Sequence, residues 1–227
     1  MATSGTATWT VDLADIVEEA FERCGSEMRS GYDLRTARRS LNILLSEWSN
    51  MGINLWTLEQ GSIPLVAGTA TYALPADTVD LLEHVTRTGS ASSQADISLT
   101  RISVSTYSTI PNKNATGRPL QIYVQRLVTP QVTVWPVPDA STPYTLVYWR
   151  LRRLQDAGNG GANTQDVPFR FLPALIAGLA YHLALKVPGG LERVQLLKAQ
   201  YDQAFTLAAE EDRDRSAVRF VPRVFGV

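Results

Sequence analysis

The sequence predicts an α+β fold: an antiparallel helical bundle built from both ends of the chain, an inserted and mainly antiparallel β lobe, and an extended C-terminal tail. Three observations predict it. Apolar residues recur at helical spacing near both ends of the chain. Between them lie short runs that alternate at period two, separated by glycine and proline. Finally, Phe169 to Val187 is apolar on nearly every face, the mark of a helix enclosed by others.

In chain order, Met1 to Thr10 is small and polar, without the basic and apolar regions of a secretory leader, so none is expected. Asp12 is placed to cap a first helix, with Asp15 near its positive end. Leu13, Ile16, Val17, Ala20, Phe21 and Cys24 form its inner stripe, and Gly25 ends it. Glu18, Glu19, Glu22 and Arg23 fill the opposite face, read as solvated.

Asp33 is expected to cap a second helix carrying Leu34, Ala37, Leu41, Leu44, Leu45, Trp48 and Met51, with Gly52 just past its end. Arg35, Arg38 and Arg39 cluster near its start, where cations oppose the helix dipole. Two readings account for them: pairing with acids of the first helix, or contact with an acidic partner surface or a phosphate. The first two helices read as an antiparallel pair.

Ser62 to Val66 and Thr69 to Leu74, split by Ala67-Gly68, read as a hairpin. Thr78 to Arg87 reads as a strand, and Ser103 as the start of a short helix. Leu120 to Arg126, Gln131 to Pro136 and Tyr144 to Arg150 alternate at period two. The glycine-rich Leu154 to Gln165 lacks the lysine and spacing of a phosphate cradle and reads as a mobile linker. In the apolar helix, Pro168 suits the first position and Pro173 is expected to kink the first turns. Its continuous apolar core, Leu172 to Leu185, falls short of the roughly 18–20 residues that span a bilayer. A last helix follows, with Val194, Leu197, Tyr201, Ala204 or Phe205, and Ala208 on one stripe. The expected division is 1–59 and 154–212 for the helices, 60–153 for the β lobe and 213–227 for the tail.

Composition narrows the function. The 227 residues carry a net charge of −1, which advertises neither nucleic acid nor membrane affinity. The charge is nevertheless segregated. Residues 1–60 hold 5 basic and 9 acidic groups, net −4; residues 61–227 hold 16 and 13, net +3. One cysteine permits no intrachain disulfide and no cysteine-based metal site. His84 and His182 are far apart in sequence, and GxSxG, HExxH and CxxC are absent. No catalytic residues, metal or cofactor are expected. The tail stands out: Val218, Arg219, Phe220, Val221, Arg223, Val224 and Phe225 interleave apolar and cationic residues without an acid. Such a segment either docks on its own domain or inserts into a partner.

Several stretches, in this order, resemble the head-to-tail adaptor proteins of short-tailed bacteriophages, the packaged-DNA-stabilisation and tail-tubular type. They are DIVEEAFERCG (15–25), LRTARRSLNILLSEWSNMGINLWTL (34–58), PLVAGTATYALPADTVD (64–80), GRPLQIY (117–123), VTVWPVPD (132–139) and the DVPF start (166–169) of the alanine- and leucine-rich helix. The resemblance covers about residues 12–212. It implies a structural virion protein, made in the host bacterial cytoplasm and placed at the head-tail junction. It would form a homo-oligomeric ring, typically twelve-fold, between the portal protein and the tail nozzle or tube. The genome would be retained by that ring and ejected through it without sequence-specific binding, and no membrane is involved. The helices would form the ring body, the tail would reach the portal, and the β lobe would face the next tail component or a neighbouring subunit. Arg35, Arg38 and Arg39 are candidates for inter-subunit or partner contact. Two other readings stand beside it. One is a virion-associated peptidoglycan hydrolase, though no carboxylate pair here carries that activity over. The other is a carbohydrate- or receptor-binding module using Trp56, Trp135, Tyr144 and Trp149.

Overall fold

The structure, a computed structural model, describes residue 5 and residues 11–52 and 55–213. It is mixed α+β and divides into two compact units, one of residues 1–56 with 155–227 and one of residues 57–154.

In the first unit α1 spans Leu13–Cys24, capped by the Asp12 carboxylate on the Asp15 amide and closed by Gly25 in the left-handed region. Its six expected inner residues are all buried. Helix α2 spans Gly31–Asn50 and starts earlier than expected. Ser30 is its N-cap, and Asp33 sits three residues on, its carboxylate accepting from the Ser30 amide in a reciprocal capping box. The cap therefore belongs to the pair, which satisfies two otherwise orphaned donors.

In the second unit β1 spans Leu58–Leu65 and β2 Thr71–Ala73, followed by β3 (Thr78–Thr88), β4 (Ala95–Ser98) and β5 (Thr100–Arg101). The short helix α3 (Val104–Ser108) does begin after a Ser103 cap. Then come β6 (Thr116–Gly117), β7 (Gln121–Gln125), β8 (Gln131–Trp135), β9 (Val137–Pro138) and β10 (Tyr144–Arg152). One sheet, ordered β1-β10-β3-β4, is antiparallel throughout. A second, β2-β8-β7-β5, is antiparallel except for the β5–β7 pair, and β6 and β9 form a short parallel pair. The expected hairpin of 62–66 with 69–74 does not form. β1 pairs with β10, and β2 pairs with β8 in the other sheet. The Ala67-Gly68 turn passes the chain from one sheet to the other because both sheets contribute to one core. That core holds Leu146 and Tyr148 of the first sheet with Ile122, Val132 and Val134 of the second.

Gly61 of β1 lies opposite Tyr148 of β10. A Cβ at Gly61 would come within 2.5 Å of the Tyr148 ring, which is buried and can move away only by leaving its packing. The open end of the same sheet is tied by charge. Arg150 Nη1 donates to Asp77 Oδ1 at 2.6 Å and Arg150 Nη2 to Glu59 Oε2 at 2.7 Å, while Arg152 Nε donates to Glu59 Oε1 at 2.7 Å. The Arg153 amide also donates to the Asp77 carbonyl at 2.8 Å. Glu59 and Arg152 lie close to where the chain enters and leaves this unit, so the network holds its two ends together.

Back in the first unit, α4 spans Leu172–Ala184 after a 3-10 turn at Phe169–Phe171, and α5 spans Val194–Glu211. Pro173 falls in the first turn of α4, where no amide partner is lost, so the expected kink has no cause. α4 packs against α1, α2 and α5. Its Gly178 is the point of closest approach: a Cβ there would meet Leu44 at 2.8 Å and Tyr201 at 3.0 Å. Trp48 lies 5.5 Å from both Phe171 and Phe205, and its Nε1 donates to the Tyr201 hydroxyl at 2.9 Å. Within α5, Leu197, Tyr201 and Ala208 of the expected stripe are buried.

The loop read as a mobile linker is pinned. The Leu13 and Ala14 amides donate to the Asn163 and Gly161 carbonyls, each at 2.9 Å. The Ala157 amide donates to Asn42 Oδ1 at 2.8 Å, and Arg38 donates to the Asn159 carbonyl at 3.2 Å. Glycine composition marked the turns and not these backbone partners, which lie far away in sequence. The expected tail falls almost wholly outside the described residues.

Three outcomes follow from these contacts. Trp48→Phe removes a buried hydrogen bond and should cost about 1–3 kcal/mol in urea unfolding of the full chain. Gly61→Ala should cost about 1–3 kcal/mol by forcing the Tyr148 ring out of its packing. The Asp77 carboxyl is held below its ordinary value, chiefly by the Arg150 hydrogen bond. Its stabilising contribution is therefore present above the ordinary carboxylate range and lost as pH falls through the lowered folded value. Asp77→Asn should lower the urea midpoint at pH 7 and flatten its decline below about pH 4. An unchanged decline would place the acid sensitivity elsewhere.

Candidate functional site

Chemistry at a catalytic site needs groups that converge, and the described residues bring few together. No group of three or more His, Cys, Asp or Glu among them could hold a metal ion. His84 is buried with both ring nitrogens unpartnered, and burial holds its pKa down, so it stays neutral. His182 Nε2 lies 3.5 Å from Glu47. The Cys24 thiol donates to the Ala180 carbonyl at 3.0 Å and is pushed up to about 11 by burial, which leaves it a poor nucleophile. Asp77, Asp96 and Asp139 are all shifted down, chiefly by hydrogen bonds from Arg150, Arg87 and Ser141. A general acid needs the opposite shift.

The four aromatics considered for sugar binding have separate surroundings. Tyr144 is buried, and Trp135 is half-buried with its Nε1 donating to the Asn112 carbonyl. Trp56 is half-buried in the other unit, 4.9 Å from Phe171, and donates to the Asp166 carbonyl. Trp149 alone of the four is exposed, on the outer face of its sheet between Gln60 and Glu83.

A surface on α2 is more distinctive. None of Arg35, Arg38 and Arg39 pairs with a carboxylate among the described residues, so the reading that joined them to acids of the first helix fails. Arg38 is half-buried and holds the Asn159 carbonyl. Arg39 is exposed and, among the described residues, reaches only the Thr36 hydroxyl, at 3.4 Å, and Arg35 is exposed. The capping box at Ser30 moves the helix start back, so Tyr32 joins the helix. Tyr32, Arg35, Arg39 and Ile43 then follow one another at helical spacing along an exposed edge. Tyr32 is 68% exposed and Ile43 51%. Tyr32, Arg39 and Ile43 also line a cavity of about 820 Å³ together with Phe21, Leu183 and Val187. Sequence reasoning missed Tyr32 and Ile43, although the spacing from 32 to 43 was the signal that could have found them.

This stripe sets two large apolar side chains beside two cations that form no ion pair among the described residues, and the cavity next to it is also lined by Glu27, Arg29, Asp33 and Lys186. The residues of the expected tail, Val218, Arg219, Phe220, Val221, Arg223, Val224 and Phe225, lie outside the described residues. No helix among the described residues is long and apolar enough to cross a membrane. No curated protein matches the chain. Residues 9–223 match the family described as SU10 adaptor protein, nearly the whole length, so the chain belongs to that family of phage adaptor proteins.

Proposed function

We propose that this chain is a structural virion protein that forms an adaptor ring between the portal and the tail nozzle or tube of a short-tailed phage. The ring retains the packaged genome and provides its ejection channel. The observation that carries this reading is the family match over residues 9–223. In the proposed assembly the helices around α4 act as a bundle and make the ring body, probed by partners on their outer faces. The 57–154 unit meets the next tail component or a neighbouring subunit.

Three physical features support it. A net charge of −1 gives the chain no strong overall attraction to phosphate, and a channel that must release DNA works best without one. Unpaired surface cations on α2 suit a contact that is completed only on assembly. The residues after 213 alternate apolar residues with arginines, a composition suited to docking in a groove on a partner. In this reading Val218 to Phe225 is the portal-docking tail, the ring is twelve-fold, and the protein acts at the head-tail junction without a cofactor or metal.

Mixing with portal rings tests it. The full chain and a version ending at Arg215 are each added to purified portal rings and analysed by size exclusion and electron microscopy. The full chain should add one further ring and the shortened chain should not. Addition by both keeps the adaptor and removes the tail from its role as anchor. Addition by neither ends the adaptor reading.

A further inference from the structure

The cations on α2 have their complement on the same molecule. α1 presents Asp15, Glu18 and Glu22 to solvent. Glu19, beside them, is neutralised by Arg23 at 2.8 Å, whereas Glu18 and Glu22 form no ion pair among the described residues. The opposite face of α1 is committed to the core through Ile16, Val17, Ala20 and Phe21, so the helix cannot rotate to bury its acids.

The two stripes have the same pitch. Asp15, Glu18 and Glu22 are spaced by three and four residues; so are Tyr32, Arg35 and Arg39. Four residues rise about 6 Å along a helix, so two carboxylates and two guanidiniums at that interval meet simultaneously when the helices lie side by side. In a parallel register Asp15 meets the Tyr32 hydroxyl, Glu18 meets Arg35 and Glu22 meets Arg39. Within one chain these groups never meet, although α1 and α2 are consecutive helices.

We propose that the Tyr32–Arg35–Arg39–Ile43 edge of α2 receives the Asp15–Glu18–Glu22 stripe of a second copy of this chain. The occupant is identified by charge and spacing: an edge with two unpaired guanidiniums faces a partner with two unpaired carboxylates at equal interval. Arg38 takes no part, since it is engaged with Asn159. Tyr32 and Ile43 supply the apolar area, because exposed ion pairs alone contribute little. The donor and acceptor faces are different surfaces of one chain, so the contact is head-to-tail. Repetition of such a contact closes into a ring or grows into a filament. This deepens the adaptor-ring reading and rests on it for the expectation of closure.

Charge reversal tests the interface without the portal. Self-association of the full chain is measured by sedimentation equilibrium up to about 1 mM, a range that reaches weak contacts. One variant carries Arg35→Glu with Arg39→Glu, a second Glu18→Arg with Glu22→Arg, and a third all four changes. The altered residues are exposed, and circular dichroism checks that each variant is folded. The wild-type chain should associate, and each two-site variant should do so at least about tenfold more weakly, because like charges then face each other. The four-site variant should recover, as should an equimolar mixture of the two-site variants, in which subunits alternate. A monomeric wild type overturns the proposal. So does a two-site variant that associates like the wild type, or a mixture that stays dissociated. If the Arg35/Arg39 reversal blocks addition to portal rings while self-association is unchanged, the portal is the partner and this interface is wrong. Self-association by this route with no addition to portal rings would instead sink the adaptor reading alone.

Discussion

Helix α4 is enclosed over most of its surface, and only Pro173, Tyr181 and His182 of its 13 residues keep contact with solvent. Its ten buried residues lie between Leu172 and Ala184 and leave no continuous polar stripe to turn outward. A segment of this kind is stable in a soluble unit only when other helices enclose it. α1, α2 and α5 do so, each with one apolar stripe, and Gly178 lets α2 and α5 approach without a side chain in the way. Much else follows from that enclosure. Cys24 is inert because it faces the α4 backbone, and the aromatic group around Trp48 forms where α2 and α5 meet above Phe171.

Enclosing α4 also decides which surface is free. Each surrounding helix has spent its apolar stripe inward, so the outward faces of α1 and α2 hold what the core does not use. On α1 that is a line of acids, and on α2 a line of cations broken by Tyr32 and Ile43. Unpaired charges on the surface of a packed helix remain available for a partner. The family match makes the chain a phage adaptor protein, and these outward faces are where the charge left over from the core is gathered.

The β unit solves a different problem. Its core is shared between two sheets, and the chain crosses from one to the other after β1. Arg150 and Arg152, with Glu59 and Asp77, tie the open end of the first sheet. Arg150 is largely buried and sits between two carboxylates, which is the condition under which a buried guanidinium is tolerated.

The sequence by itself determined the local elements. The inner stripe of α1, the apolar character of α4, the cap at Asp12 and the period-two runs of β7, β8 and β10 all depend on neighbours within a few residues. The segments at 15–25, 34–58, 64–80 and 132–139 also carry a resemblance to phage adaptor proteins that depends on sequence alone. Tertiary structure alone decided which strands pair, because β1 and β10 are some 80 residues apart in the chain and no spacing rule links them. It decided that the glycine-rich loop is held, since the groups that hold it come from α1 and α2. It also decided the fate of the arginines on α2. Sequence shows a cation near an acid on a neighbouring helix, but only packing onto α4 sets the direction each side chain faces, and here the directions leave both unpaired.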